Sequence, residues 1–103
     1  MKFLKYHCLG NDYLILTSKG TELSDYELQP EITRKICNRN FGLGADGVLV
    51  GGKDNKENHF SLNIYNPDGS IAEKSGNGLR IFARSLWDRK MVDKNIFKIK
   101  TIG

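Results

Sequence analysis

Ser75-Gly76-Asn77-Gly78-Leu79-Arg80, continued by Ile81-Phe82-Ala83-Arg84-Ser85-Leu86-Trp87, is the stretch from which the fold of this 103-residue chain is read. Apolar residues at Leu79, Phe82, Ala83, Leu86 and Trp87 recur at i, i+3, i+4, i+7 and i+8, the spacing of one helical face. Ile81 adds an apolar residue off that stripe, so the predicted helix is apolar over more than half its circumference. Such a helix is expected to be enclosed rather than laid on a surface. The glycines flanking Asn77 place a turn at its N-terminus. The first N–H groups of a helix have no partner within it, and the peptide dipoles favour negative charge there. Two readings of this turn stay open: an anion site, or a plain helix start capped by Ser75 or Asn77.

Working outward, Asn66-Pro67-Asp68-Gly69 has the composition of a type I turn, with proline second and glycine fourth. Before it, Phe60, Leu62 and Ile64 alternate with Ser61 and Asn63, which predicts a strand over 59–65. Gly51 to Asn58 reads as a polar loop, and Val48-Leu49-Val50 as a further strand. That strand is opened by Gly42-Leu43-Gly44-Ala45-Asp46-Gly47, a formal match to G-x-G-x-x-G. A dinucleotide fingerprint must follow a strand and open a helix. Here the order is inverted, so a Rossmann site is rejected and the glycines are assigned to a tight helix-to-strand passage. The preceding helix starts at Pro30, with Glu31 at its positive end, and runs as far as Asn38. Its narrow stripe of Ile32, Ile36 and Cys37 predicts a surface helix.

Thr17 to Gln29 is polar and reads as loop. Tyr13-Leu14-Ile15-Leu16 is an apolar run of strand length, Lys2 to Tyr6 a short strand, and Leu9-Gly10-Asn11-Asp12 a turn cluster between them. This predicts a hairpin or bent strand pair with Asn11 at the bend. Asn11 and Asp12 are also readable as plain turn formers. After Lys90 the helix ends, and Ile96 to Ile102 alternates as a last strand. The pattern as a whole is α+β, a sheet curled around Leu79–Trp87.

The length suits a single domain over residues 1–103. With 39% hydrophobic and 27% charged residues, no apolar run near the ~20 residues of a membrane span and no signal-peptide pattern, a cytoplasmic protein with no membrane partner is expected. The net charge of +4 comes from 16 basic and 12 acidic residues scattered without runs, which argues against a nucleic-acid surface. Cys8 and Cys37 are expected to be free thiols. His7 is adjacent to Cys8 and His59 stands alone, so no metal site is expected.

Three ordered stretches carry a family resemblance. Leu9-Gly10-Asn11-Asp12-Tyr13, Gly44-Ala45-Asp46-Gly47, and Asn66-x-Asp68-Gly69-Ser70 leading into Ser75-Gly76-Asn77-Gly78-Leu79-Arg80 resemble the amino-terminal half of diaminopimelate epimerase along the whole chain. The resemblance implies an isomerase of lysine and cell-wall biosynthesis, working without pyridoxal or another cofactor. It implies two similar domains with the active site in the cleft between them, and a mixed, strongly curled sheet wrapped around one central helix. A homodimer is left open. In that family one cysteine precedes Gly-Asn-Gly and a second comes from the other domain. One thiolate removes the α-proton and the opposing thiol delivers a proton to the other face, because inverting a carbon needs an acid and a base on opposite sides. A thiol at a helix N-terminus is well placed for this, its pKa being lowered there. By the resemblance, the N–H groups of Gly76 and Asn77 hold the α-carboxylate of a small amino-acid substrate and steady the charge that develops beside it. Asn11 and Asn66 line the substrate site.

Four departures stand against the pattern. The catalytic cysteine position is Ser75, whose alcohol keeps its proton at neutral pH and has no neighbouring His or Lys to take it. The chain has no counterpart of the second domain with its cysteine, so it is expected to be one segment of a longer protein and inactive alone. A glutamine of part of the family is Gly47 here, and Cys8 stands where glycine is usual. Three accounts of Ser75 are open: an engineered replacement, a natural residue of a binding paralogue, or a protein in which another thiol such as Cys8 takes over. Besides diaminopimelate epimerase, the resemblance admits a histidine or other amino-acid racemase of the same fold, and a catalytically silent domain that binds a carboxylate or supports a partner domain.

Overall fold

The two continuous apolar runs of the chain become neighbouring inner strands of one sheet. In the computed structural model, which describes residues 2–8, 10–17, 29–40, 42–53, 59–72, 76–90, 92 and 98–101, Tyr13–Leu16 lies in β2 (Asn11–Thr17) and Val48–Val50 in β3 (Gly47–Lys53). They pair in parallel, with Leu14 opposite Val48, Ile15 opposite Leu49 and Leu16 opposite Val50. All six side chains are buried. A strand covered on both faces has no polar side to show, hence the unbroken apolar run.

β1 (Lys2–Cys8) pairs antiparallel with β2, β4 (His59–Tyr65) antiparallel with β3, and β5 (Lys98–Thr101) parallel with β4. The described residues thus form a five-stranded mixed sheet in the order β1-β2-β3-β4-β5. Helix α1 (Pro30–Cys37) connects β2 to β3, and α2 (Gly76–Asp88) connects β4 to β5. Both crossovers step the same way across the sheet, but β4 runs opposite to β2. Right-handed connections therefore require the two helices on opposite faces. The packing agrees: Ile15, Leu49, Phe60, Leu62 and Ile64 cluster with Ile81, Phe82 and Leu86 of α2, whereas Leu14, Leu16, Val48, Val50 and Tyr65 cluster with Cys37 of α1.

Several expectations are corrected. The sheet is open and α2 lies against one of its faces, with Arg80, Arg84, Trp87 and Asp88 exposed, so the described strands do not enclose the helix. Its buried face is Gly78, Ile81, Phe82, Ser85 and Leu86, one position round from the predicted stripe, and Trp87 is 47% exposed. In α1 the buried residues are Thr33 and Cys37, while Ile32 faces solvent. Gly51 to Lys53 belong to β3 and Thr17 to β2, and not to the predicted loops; a side chain at Gly51 would run into the Phe82 ring, so the strand carries glycine there and hydropathy does not mark it. The loops over 18–28 and 54–58, and Ile96, Phe97 and Ile102 of the predicted last strand, lie outside the described residues. Neither described helix is long and apolar enough to cross a membrane.

Candidate active site

Strand register brings three of the motifs to one end of the sheet. Tyr13 pairs with Gly47, and Val48 with Tyr65, so the start of β2, the start of β3 and the end of β4 lie together. Since α2 follows β4 and runs back toward β5, it begins at this same end. Asn11, Asn66, Gly76 and Asn77 therefore share one edge of the molecule. Ser75, the position of the family's cysteine, lies outside the described residues.

Asn11 is not at the bend of the hairpin. It is the first residue of β2, directly opposite Cys8, and Gly10 lies in the turn, at φ +87°. The pleat then separates Asn11 from Asp12. Side chains alternate along a strand, and Tyr13 and Ile15 face α2, so Asn11 falls on the α2 face and Asp12 on the α1 face. Asn66 sits in the predicted turn, which the Gly69 N–H closes by donating to the Asn66 carbonyl at 2.9 Å. Its amide Nδ2 donates to Ser70 Oγ at 3.0 Å. Ser70 in turn donates from its N–H and hydroxyl to Asp68 Oδ1 at 2.9 and 2.6 Å, which lowers the Asp68 pKa. The turn is thus braced from within, and Gly69, at φ +91°, packs against Pro30.

The start of α2 is exposed at Gly76. A side chain added there would meet none of the described residues within 4 Å, and the first helical turn carries no acidic residue. The positive end of this helix is therefore not neutralised by its own side chains. Along α2, between its exposed side and β1, runs a groove of about 470 Å³ lined by Tyr6, His7, Arg80, Ile81, Arg84 and Asp88. Tyr6 Oη donates to Asp88 Oδ2 at 3.1 Å, and Arg84 Nε to Asp88 Oδ1 at 3.0 Å.

The glycine-rich loop cradles no phosphate; it closes α1 and presents Asp46. Gly44 and Ala45 donate their N–H groups to the carbonyls of Ile36 and Cys37 at 3.0 and 3.3 Å, capping the last turn of the helix. Asp12 and Asp46 then grip each other: the Asp12 N–H donates to Asp46 Oδ2 at 2.8 Å, and the Asp46 N–H to the Asp12 carbonyl at 2.8 Å. Arg39 Nη2 bridges Asp12 Oδ1 and Asp46 Oδ1 at 2.9 and 3.0 Å. Lys5 Nζ reaches Asp12 Oδ2 at 3.3 Å and the Gly44 carbonyl at 2.8 Å. The Arg39 guanidinium, opposed in part by burial, holds the Asp12 carboxyl well below the usual carboxylate range. Asp12 is thus an electrostatic anchor and not a turn former. Arg39 and Lys5 carried no local sequence signal for this role.

Gly47 leaves no empty place for the family's glutamine. A Cβ there would lie 2.7 Å from the Tyr65 carbonyl oxygen and 2.8 Å from the Tyr13 ring. Cys37 is a free, buried thiol whose pKa is raised by burial; the side chain of Cys8, the other thiol expected to be free, lies outside the described residues.

The family model for diaminopimelate epimerase matches residues 3–103. Diaminopimelate epimerase 2 of Nostoc sp. is 53% identical over 103 residues, covering 100% of this chain and 35% of that protein. The diaminopimelate epimerases of Methanocaldococcus jannaschii and Methanothermobacter thermautotrophicus are 41% identical over 104 residues and 37% over 101, again covering 35% of each relative. The chain spans about a third of the length of these relatives.

Proposed function

The chain belongs to the diaminopimelate epimerase family, and on that premise we propose that it forms one wall of the active-site cleft of an epimerase that interconverts LL- and meso-diaminopimelate without pyridoxal. The observation that carries this reading is the convergence of Asn11, Asn66 and the exposed start of α2 at one edge of the sheet. In this reading the N–H groups of Gly76 and Asn77 take the α-carboxylate, where the helix dipole favours negative charge. The asparagine side chains contact the rest of the amino-acid head. A base on one face removes the α-proton while an acid on the other returns one, so the carbanionic charge is short-lived and held beside the helix terminus. The second half of a longer polypeptide supplies the opposing thiol and covers the exposed side of α2, completing a curled sheet around it. Exposed Trp87 and the groove beside Arg80 and Arg84 support that part of the reading.

Ser75 favours a second reading, a silent domain that binds a carboxylate without inverting a centre. The deciding experiment compares the full-length protein with its Ser75→Cys variant, incubating each with LL-diaminopimelate in D2O and following chirality and deuterium. Turnover by the variant supports the epimerase. Saturable binding of diaminopimelate without exchange in either protein supports the silent domain. Inversion of a different amino acid, with none of diaminopimelate, reassigns the substrate.

A further inference from the structure

The motif residues Asn11 and Asp12 are adjacent in sequence, yet the pleat sends them to opposite faces of the sheet, and only Asp12 is held by charge. The Asp12 N–H donates to the Asp46 carboxylate and the Asp46 N–H to the Asp12 carbonyl, and one guanidinium bridges both carboxylates. Without Arg39, two carboxylates would face each other across this junction with Lys5 as the nearest cation, reaching only Asp12. Like charges at that spacing repel, which would loosen the backbone at the start of β2. The residue that this backbone carries on the opposite face is Asn11.

We propose that Arg39 is a positioning residue for Asn11: by closing the Asp12–Asp46 clamp on the α1 face, it fixes the asparagine amide on the α2 face for the substrate. This rests on the reading of Asn11 as a substrate contact given above. Arg39 itself touches no substrate. Its side chain lies on the far face of the sheet, 57% exposed, and acts through the backbone of Asp12. A planar fork suits this bridge, since one guanidinium presents several donors in fixed directions, whereas an ammonium offers a point charge.

The test uses the full-length protein with Arg39→Met, Arg39→Lys and, as a control for general destabilisation, Phe60→Leu, a core change at the opposite end of β4. Two readouts are needed. The first is the nitrogen-15 spectrum: in Arg39→Met the Asp12 amide is expected to exchange faster and the Asn11 side-chain NH2 signals to move toward those of a free amide. Arg39→Lys should show an intermediate shift and Phe60→Leu no change at Asn11. The second is diaminopimelate affinity by calorimetry, expected to weaken about tenfold or more in Arg39→Met, as misplaced polar contacts commonly cause, and to remain in Phe60→Leu. Unmoved Asn11 signals in Arg39→Met, or equal movement in Phe60→Leu, would overturn the proposal. If the unsubstituted protein binds no diaminopimelate, the functional reading above fails, and the Asn11 signals still decide the positioning role.

Discussion

Asp12 is a buried carboxylate that stays charged because Arg39 sits against it, with Lys5 as a second cation. Its pKa in the folded chain lies below the unfolded value of about 3.9. A group shifted in that direction stabilises the fold above its unfolded pKa, and the contribution is lost as pH falls toward the folded one. The urea midpoint of the chain is therefore expected to hold level from pH 7 to 5 and to drop below about pH 4. Asp12→Asn should be less stable at neutral pH and show a shallower acid decline; an unchanged decline would refute this assignment. Asp68, also shifted down but exposed, is expected to contribute little. The legibility of the site follows from the same geometry. Asn11, Asp46, Asn66 and Asn77 stand in local motifs that a reading of the sequence singles out. Arg39 meets Asp12 across 27 residues, and no local pattern encodes a partnership of that range. The lack of room at Gly47 likewise depends on Tyr13 and Tyr65, which only the paired strands bring to it.

Elements were legible where hydropathy alone decides burial, and misread where it does not. The runs in β2 and β3 and the alternation in β4 announce their strands because each inward position is apolar. The spacing marks helix α2, but its buried face lies one position round from the apolar stripe. That face includes Gly78 and Ser85, which a hydropathy stripe does not register, while Trp87 and Ala83 draw the stripe away. Ser85 tolerates burial because its hydroxyl donates to the Phe82 carbonyl at 2.7 Å and accepts from Arg89 Nη2 at 3.0 Å. The fit between helix and sheet centres on Phe82, whose ring occupies the space that a side chain at Gly51 would need. Phe82→Ala is expected to cost about 3–5 kcal/mol, enough to unfold a small domain. Gly51→Ala should cost about 1–3 kcal/mol by overpacking, and Trp87→Ser in the isolated chain less than about 0.5 kcal/mol. Urea denaturation of the three variants checks the order. A large loss at Trp87 together with a small one at Phe82 would mean that the helix packs by the other face.

At the scale of the whole molecule, an epimerase needs groups on both faces of one carbon, and in the proposed reading this chain builds one wall. Its relatives are about three times as long, and Gly76 at the start of α2 is exposed. The 103-residue chain alone is therefore expected to invert no amino acid, with Ser75 or with Ser75→Cys, since neither form excludes water or brings a second thiol. Joining the second half separates the two causes. With Ser75→Cys, both faces have a titratable thiol and inversion is expected. With Ser75 retained, the opposing thiolate can still remove the α-proton that faces it, but nothing on the serine side returns one. The expected result in D2O is exchange of the α-hydrogen in one stereoisomer with retained configuration, read by mass and by chiral chromatography on LL- and meso-diaminopimelate incubated separately. Sustained inversion by the Ser75 form would show that another group completes the pair on this wall. Cys8 is then the first to test, because its backbone lies directly opposite Asn11 at the same edge of the sheet, and Cys8→Ala should abolish the inversion.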